Sequence, residues 1–224
     1  MLILALDAAL SRASAAVVRD GTLLSQHRAP SGHGRSAALA TMAEAVLAAA
    51  GVSAASLDAV AVTVGPGGFT GLRAALALAH GIALGAGCPV VGVTVGEAIA
   101  EAFPRLGARR LWTAIDSRRG RVFLDRGPRG AEDDIGAFEL AHLPRPDGPV
   151  AIAGDAAIVV AAGLAASEAD VALTDLREPL PRHVAVVAVR RLAGELPPRE
   201  ALPMYVDPPE AKLPAGGLRP PPVP

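Results

Sequence analysis

The stretch AVAVTVGPGGFTGLRAALALAHGIALG, Ala59 to Gly85, carries the reading on which the fold turns. Its opening, Ala59 to Val64, is a short run of small and β-branched residues, the pattern of a strand buried on both faces of a parallel sheet. The loop Gly65-Pro66-Gly67-Gly68 interrupts it. From about Thr70 to Leu84 apolar residues return at the helical period, and a second apolar strand, Pro89 to Val93, follows. Strand, glycine loop, helix and strand in that order define an α/β unit.

Three further strand-like runs precede this unit: Ile3 to Asp7, Ser14 to Arg19 and Leu23 to Arg28, with Asp20-Gly21 as a hairpin turn. Between them and Ala59, the segment Ser36 to Ala50 sets Leu39, Met42, Ala43, Val46 and Leu47 on one side of a helix that stops at Gly51. The first lobe, residues 1–104, therefore reads βββαβαβ. After an arginine-rich boundary at Pro104 to Arg110, Leu111 to Asp116 repeats the opening pattern of an apolar strand ending in Asp. Arg121 to Asp125 is its hairpin partner, turning at Arg118 to Gly120. Val150 to Ala153 reads as one more strand and Val184 to Leu196 as a last helix. The expected architecture is α/β: two related lobes with mixed sheets, 1–104 and a shortened 105–197, then a proline-rich, irregular tail, 198–224.

With 224 residues, 51% of them apolar, the chain can bury a real core and is no disordered segment. A net charge of −1 argues against a general nucleic-acid or membrane-surface binder, because both need a large positive field. The single cysteine, Cys88, excludes an internal disulfide and suits a reducing cytoplasm. The opening MLILALDAAL lacks a basic leader and is a poor signal peptide. Ala74 to Val93 carries only His80, but Gly81, Gly85, Gly87 and Pro89 divide it into helix, turn and strand rather than a membrane span.

The loop Gly65, Pro66, Gly67, Gly68, Phe69, Thr70, Gly71, Leu72, Arg73 has two readings. Its amides at a helix start could hold an anion, although it lacks the ending of a Walker loop. Alternatively it is a tight turn, with Phe69 plugging the core and Thr70 capping the helix. Within that helix, Leu72, Leu76, Ala79 and Ala83 make one apolar stripe, and Ala75, Leu78 and Ile82 a second. Together they exceed what packing on a sheet requires, leaving one stripe for another helix or another protein. The outer face of the first helix (Ala38, Ala45, Ala49) would allow close approach beside it. Asp7 and Asp116 end the first strand of each lobe, where a carboxylate could hold Mg²⁺ for a nucleotide, but Ala8-Ala9 after Asp7 supplies no hydroxyl or glycine to grip phosphate. Asp7 as a turn cap is the competing reading. The five histidines show no metal-pair spacing, and no serine stands in a nucleophile elbow. Arginines cluster at Arg105, Arg109, Arg110, Arg118, Arg119, Arg121, Arg126 and Arg129, which permits a minor tRNA or nucleotide contact beside the reading as a solvated face.

The strand ILALDAA, His33 ahead of an apolar helix, the DAVAVTVGPGGFTGLRAALALAHGIALG run, PVVGV, AIDSRRGRVF and the late PMYVDPPEAKLP together resemble the TsaB (YeaZ) family. Its members help to make threonylcarbamoyladenosine in bacterial tRNA. The resemblance implies an actin/sugar-kinase/Hsp70-like (ASKHA) fold and a non-catalytic subunit that pairs with TsaD. TsaD moves the threonylcarbamoyl group to N6 of the adenosine next to the anticodon, and a TsaE ATPase joins the pair. The implied partner-binding residues are Leu39, Met42, Ala43 and Val46 on the first helix, and Ala75, Leu76, Leu78, Ala79, Ile82 and Ala83 on the second. An arginine at Ala79 is then expected to break association in a folded monomer. The resemblance further implies no cofactor on this chain alone, with ATP and a metal ion on the partners, tRNA contacted indirectly, no membrane and a cytoplasmic location. A homodimer through the same surface is a further implied state. Where the family usually has Asp-Thr this chain has Asp7-Ala8, and Gly68 replaces a common Ser; Asp7 and Asp116 would then mark a vestigial nucleotide cleft. A small-molecule kinase of the same fold, using Asp7 and the Gly65–Gly71 loop, is the alternative. A glycoprotease would need a nucleophile or metal pair that the sequence lacks.

Overall fold

The computed structural model describes residues 1–30, 37–127 and 134–207. The first sheet has the order β3-β2-β1-β4-β5, formed by β1 (Leu2–Asp7), β2 (Ser14–Arg19), β3 (Thr22–Arg28), β4 (Ala59–Gly65) and β5 (Val90–Thr94). β1 runs antiparallel to β2, with Leu2 opposite Arg19 and Asp7 opposite Ser14, and parallel to β4, with Ile3 opposite Ala59. The hairpin turns where Asp20 and Gly21 both adopt positive φ. Because side chains alternate along a strand, Leu2, Leu4 and Leu6 enter one core and Ile3 and Ala5 another. The first core is closed by α1 (Leu39–Ala49) and α2 (Phe69–Ala86), and the second by α5 (Pro181–Leu192). Gly51, at φ +65°, ends the first of these helices, and Gly87 at +69° the second.

The second sheet repeats the layout as β10-β9-β6-β7-β8, from β6 (Arg110–Asp116), β7 (Arg121–Asp125), β8 (Ile135–Glu139), β9 (Val150–Ala153) and β10 (Val171–Leu173). One face is covered by α4 (Ala157–Ala166). The other meets the first lobe through Ile115, Phe123 and Ala153, which pack with Ala9, Leu10, Leu72 and, from α3 (Val95–Ala100), Val95 and Ile99. The second lobe is shorter because a 3-10 turn, Leu140–His142, stands where the first lobe has α1, and because α4 has 10 residues where α2 has 18. Its sheet is complete at five strands.

Two expected boundaries need correction. The last helix begins at Pro181, whose fixed φ suits a first turn, and Val184, Ala185, Val187 and Ala188 pack on the first sheet, outside the 105–197 lobe. Residues 198–207 are an ordered strap. The Gly92 amide donates to the Arg199 carbonyl (3.3 Å) and the Met204 amide to the Val64 carbonyl (2.8 Å), while Ala201 is buried in the first core. A Cβ on Gly92 would stand 2.4 Å from the Glu200 carbonyl oxygen, so this glycine lets the strap lie against the edge strand and cover it. The PPEAKLP segment from Pro208 onward, His33, Ser36 and Arg129 lie outside the described residues.

Candidate functional site

The glycine loop is packed against the opening strand's exit. A Cβ on Gly67 would lie 2.3 Å from the Ala9 carbonyl oxygen, and one on Gly71 2.1 Å from that of Ala8. The Gly68 amide already donates to the Ala9 carbonyl at 2.7 Å. Glycine is needed here so that two backbones can touch, and the amide a phosphate would use is taken. Both details of the tight-turn reading are corrected. Helix α2 starts at Phe69 with Gly68 as its N-cap and no side-chain cap, so Thr70 lies inside the first turn. Phe69 is 52% exposed because it sits at the helix tip beyond the sheet.

Asp7 is buried, accepting hydrogen bonds from Thr63 Oγ1 (2.6 Å) and the Ala9 amide (3.1 Å). Burial pushes its pKa up to about 6, against the pull of those two donors. Asp116 belongs to another network: it accepts from the Arg118 amide (2.8 Å) and pairs with the Arg118 guanidinium (3.2 Å). That guanidinium also reaches Asp155 at 3.1 Å, and Asp155 accepts from the Asp116 amide at 2.9 Å. Burial raises the Asp155 pKa as well. Nearby, buried Glu178 accepts from Ser11 and pairs with Arg12 (3.3 Å) and Arg28 (3.4 Å). The carboxylates that would face a nucleotide are thus engaged internally, and apolar Ala9, Leu10, Ile115 and Ala153 fill the seam. Part of the arginine cluster is likewise engaged locally, Arg109 with Asp170 (2.8 Å) and Arg121 with Asp207 (2.9 Å), while Arg126 lies over the Phe138 ring.

The helix stripes assigned to a partner face the wrong way. Leu39, Met42, Ala43, Val46, Ala75, Leu76, Ala79 and Ala83 are buried in the chain's own first core, and Leu78 and Ile82 are half-buried against it. A helix over a curved, twisted sheet buries a wider arc than a flat contact would, and this absorbs the stripe that looked surplus. The exposed side of α2 is Phe69, Thr70, Arg73, Ala77, His80, Gly81, Leu84 and Gly85; that of α1 is Ala40, Thr41, Glu44, Ala45, Ala48 and Ala49, with Ala38 just before it. Leu84 is 86% exposed, and Gly81 and Gly85 have open space around an added Cβ. α1 and α2, which cover the same side of the first sheet, therefore each present a small-residue, weakly charged surface that little in the chain covers among the described residues. By length and composition alone α2 could span a membrane (mean hydropathy 1.3), but its inner side is built into the sheet.

Sequence reasoning missed Leu84, the bare glycines and Tyr205. The last is the chain's only tyrosine, set among prolines and half-exposed, which was the available signal. Its hydroxyl accepts from Arg73 Nη2 (2.9 Å) and Nε (3.1 Å), while His80 Nε2 donates to the Ala201 carbonyl (3.0 Å). The strap thus borders the bare face.

Two duplicated lobes, joined by a seam at their strand ends, define an α/β protein of the actin/sugar-kinase/Hsp70 class. Residues 30–135 match the TsaD family, tRNA N6-adenosine threonylcarbamoyltransferase. The TsaB protein of Escherichia coli K12, named for tRNA threonylcarbamoyladenosine biosynthesis, is 37% identical over 125 residues, 55% of this chain and 53% of that one. The chain spans about half the length of such curated relatives, the Haemophilus influenzae TsaB protein being matched over 42% of its length. YeaZ from Pseudomonas aeruginosa superposes with a TM-score of 0.70 at 26% identity, covering 91% of this chain and 99% of that one. A second Pseudomonas aeruginosa structure, described as similar to peptidase YeaZ, gives 0.73 at 26% identity over 92% and 99%. This chain is therefore similar to TsaB proteins over about half its length and to YeaZ structures over most of its fold.

Proposed function

We propose that this chain is a non-catalytic subunit in tRNA threonylcarbamoyladenosine biosynthesis. It pairs with a TsaD-like transferase and supports transfer of the threonylcarbamoyl group to N6 of the adenosine beside the anticodon. The observation that carries this reading is the conjunction of an internally neutralised, apolar-filled cleft with a bare two-helix face on the same lobe. The first feature gives the chain little with which to hold a phosphate; the second gives it a surface on which Gly81 and Gly85 leave room for another backbone to approach. In this reading the chain works by docking, ATP and a metal ion belong to the other subunits, a TsaE-like ATPase joins the pair, and tRNA is met through the complex. The location is cytoplasmic, and the free chain self-associates through the same face.

The test is reconstitution. Purified chain mixed with its TsaD counterpart is expected to co-elute in size exclusion and to enable tRNA threonylcarbamoylation, with no ATP turnover by the chain alone. Robust turnover by the isolated chain would favour the kinase-like alternative and sink the proposal.

A further inference from the structure

We infer that Phe69, Arg73 and Tyr205 form a preorganised anchor that receives a carboxylate side chain of the protein partner. The inference rests on the partner-subunit reading and adds to it a specific contact and its chemistry. Arg73 lies over the Phe69 ring at 3.7 Å from its centroid, and its Nε and Nη2 both donate to the Tyr205 hydroxyl. The two rings are 6.3 Å apart, and both residues are about half exposed. This is an unusual outlay in a chain with 3% aromatic residues, whose Trp112 is buried in the second lobe.

The arrangement fixes a guanidinium on the surface before any partner arrives. The Phe69 ring strips water from one of its planes, and a neutral phenol, a weaker acceptor than a carboxylate, occupies one edge. No carboxylate pairs with Arg73 among the described residues. Held in one geometry, the group loses little entropy on pairing, and Arg beside exposed aromatics at the border of a small-residue face has the make-up of an interface hot spot.

Charge favours a protein over a nucleic acid. Arg73 is the only Lys or Arg on the exposed side of α2, whereas backbone-tracking of RNA needs several cations in a row. Apolar Ala77, Gly81 and Leu84 continue the surface, as the centre of a protein interface requires. Tyr205 acts as a positioning residue, aiming Arg73 from the strap.

The experiment measures binding of full-length chain to the TsaD counterpart by calorimetry, with melting temperature as the fold control. Arg73→Ala is expected to weaken binding about tenfold or more, Arg73→Lys to recover it only in part, and Tyr205→Phe to cost several-fold. Melting temperatures should stay unchanged, and Arg73→Ala should flatten the salt dependence of binding. Wild-type binding that Leu84→Arg abolishes but Arg73→Ala leaves intact would overturn the anchor alone. Loss of RNA binding instead of protein binding would do the same. Absence of any wild-type association would overturn both the anchor and the subunit reading.

Discussion

Glycines in this chain serve opposite ends, and a single added methyl separates them. At Gly67 and Gly71 the methyl would strike the carbonyl oxygens of Ala9 and Ala8, backbone atoms that cannot swing aside. Gly71→Ala is therefore expected to destabilise the fold by about 1–3 kcal/mol, read as a lower denaturant midpoint. Gly81 sits in the same helix with open space around it. Gly81→Ala should stabilise the free chain by about 0.5–1 kcal/mol by removing backbone freedom from the unfolded state, yet weaken association with a close-packing partner. Both substitutions have the same chemistry in sequence; only the neighbours differ.

At the scale of the element, α2 divides into a face that folds and a face that is free. Ala79 is fully buried beneath it, so Ala79→Arg is expected to yield unfolded or insoluble protein, in place of the folded, association-deficient monomer that the helical stripes alone imply. Leu84→Arg, on the exposed side, should shift stability by no more than about 0.5 kcal/mol and abolish co-elution with the transferase. Circular dichroism and size exclusion on both variants decide the matter. Helix α3 shows why some elements escaped notice. At six residues it is too short to display a period, and its legible sign was the capping box, in which Thr94 Oγ1 accepts from the Glu97 amide and Glu97 from the Thr94 amide. Helix α4, apolar along its whole length and holding Gly163, shows no polar face from which a period could be read.

At the scale of the whole molecule, buried polar groups fix α3 within the first lobe and against the second. Glu97 of α3 pairs with Arg191 of α5 at 2.5 Å, and Asp125 of β7 presses against Gly96, where a Cβ would lie 1.9 Å from its Oδ2. That oxygen is buried without a hydrogen-bond partner among the described residues, and burial lifts the carboxyl pKa to about 7. Glu97 and Asp134 push it further up, while Arg199 draws it down. A raised carboxyl pKa means that the folded state keeps a proton the unfolded chain releases near pH 4. The contribution of this carboxyl to stability is then fully present below about pH 4 and is lost as pH rises from there through about 7, with Asp7 adding a decline that is complete at about 6. Urea midpoints are expected to drop between about pH 4 and pH 7, and Asp125→Asn should reduce that drop by keeping the buried group neutral. An equally steep decline in the variant would remove Asp125 as its origin.

The amino-acid order alone determined the periodic elements and the duplication: Ser14–Arg19, Arg121–Asp125 and Val150–Ala153 have the same ends in sequence and structure, because turn residues bound each apolar run. It also marked the glycine loop as a place of close backbone approach, which Gly67 and Gly71 make against Ala9 and Ala8. Only the tertiary structure decided which side of each helix is buried, that α5 and the 198–207 strap return to the first sheet, and that Tyr205 meets Arg73 across 132 positions. The physical reason is that periodicity reports local geometry along one element, while facing and contact depend on the sheet's twist and on where a distant segment comes to rest.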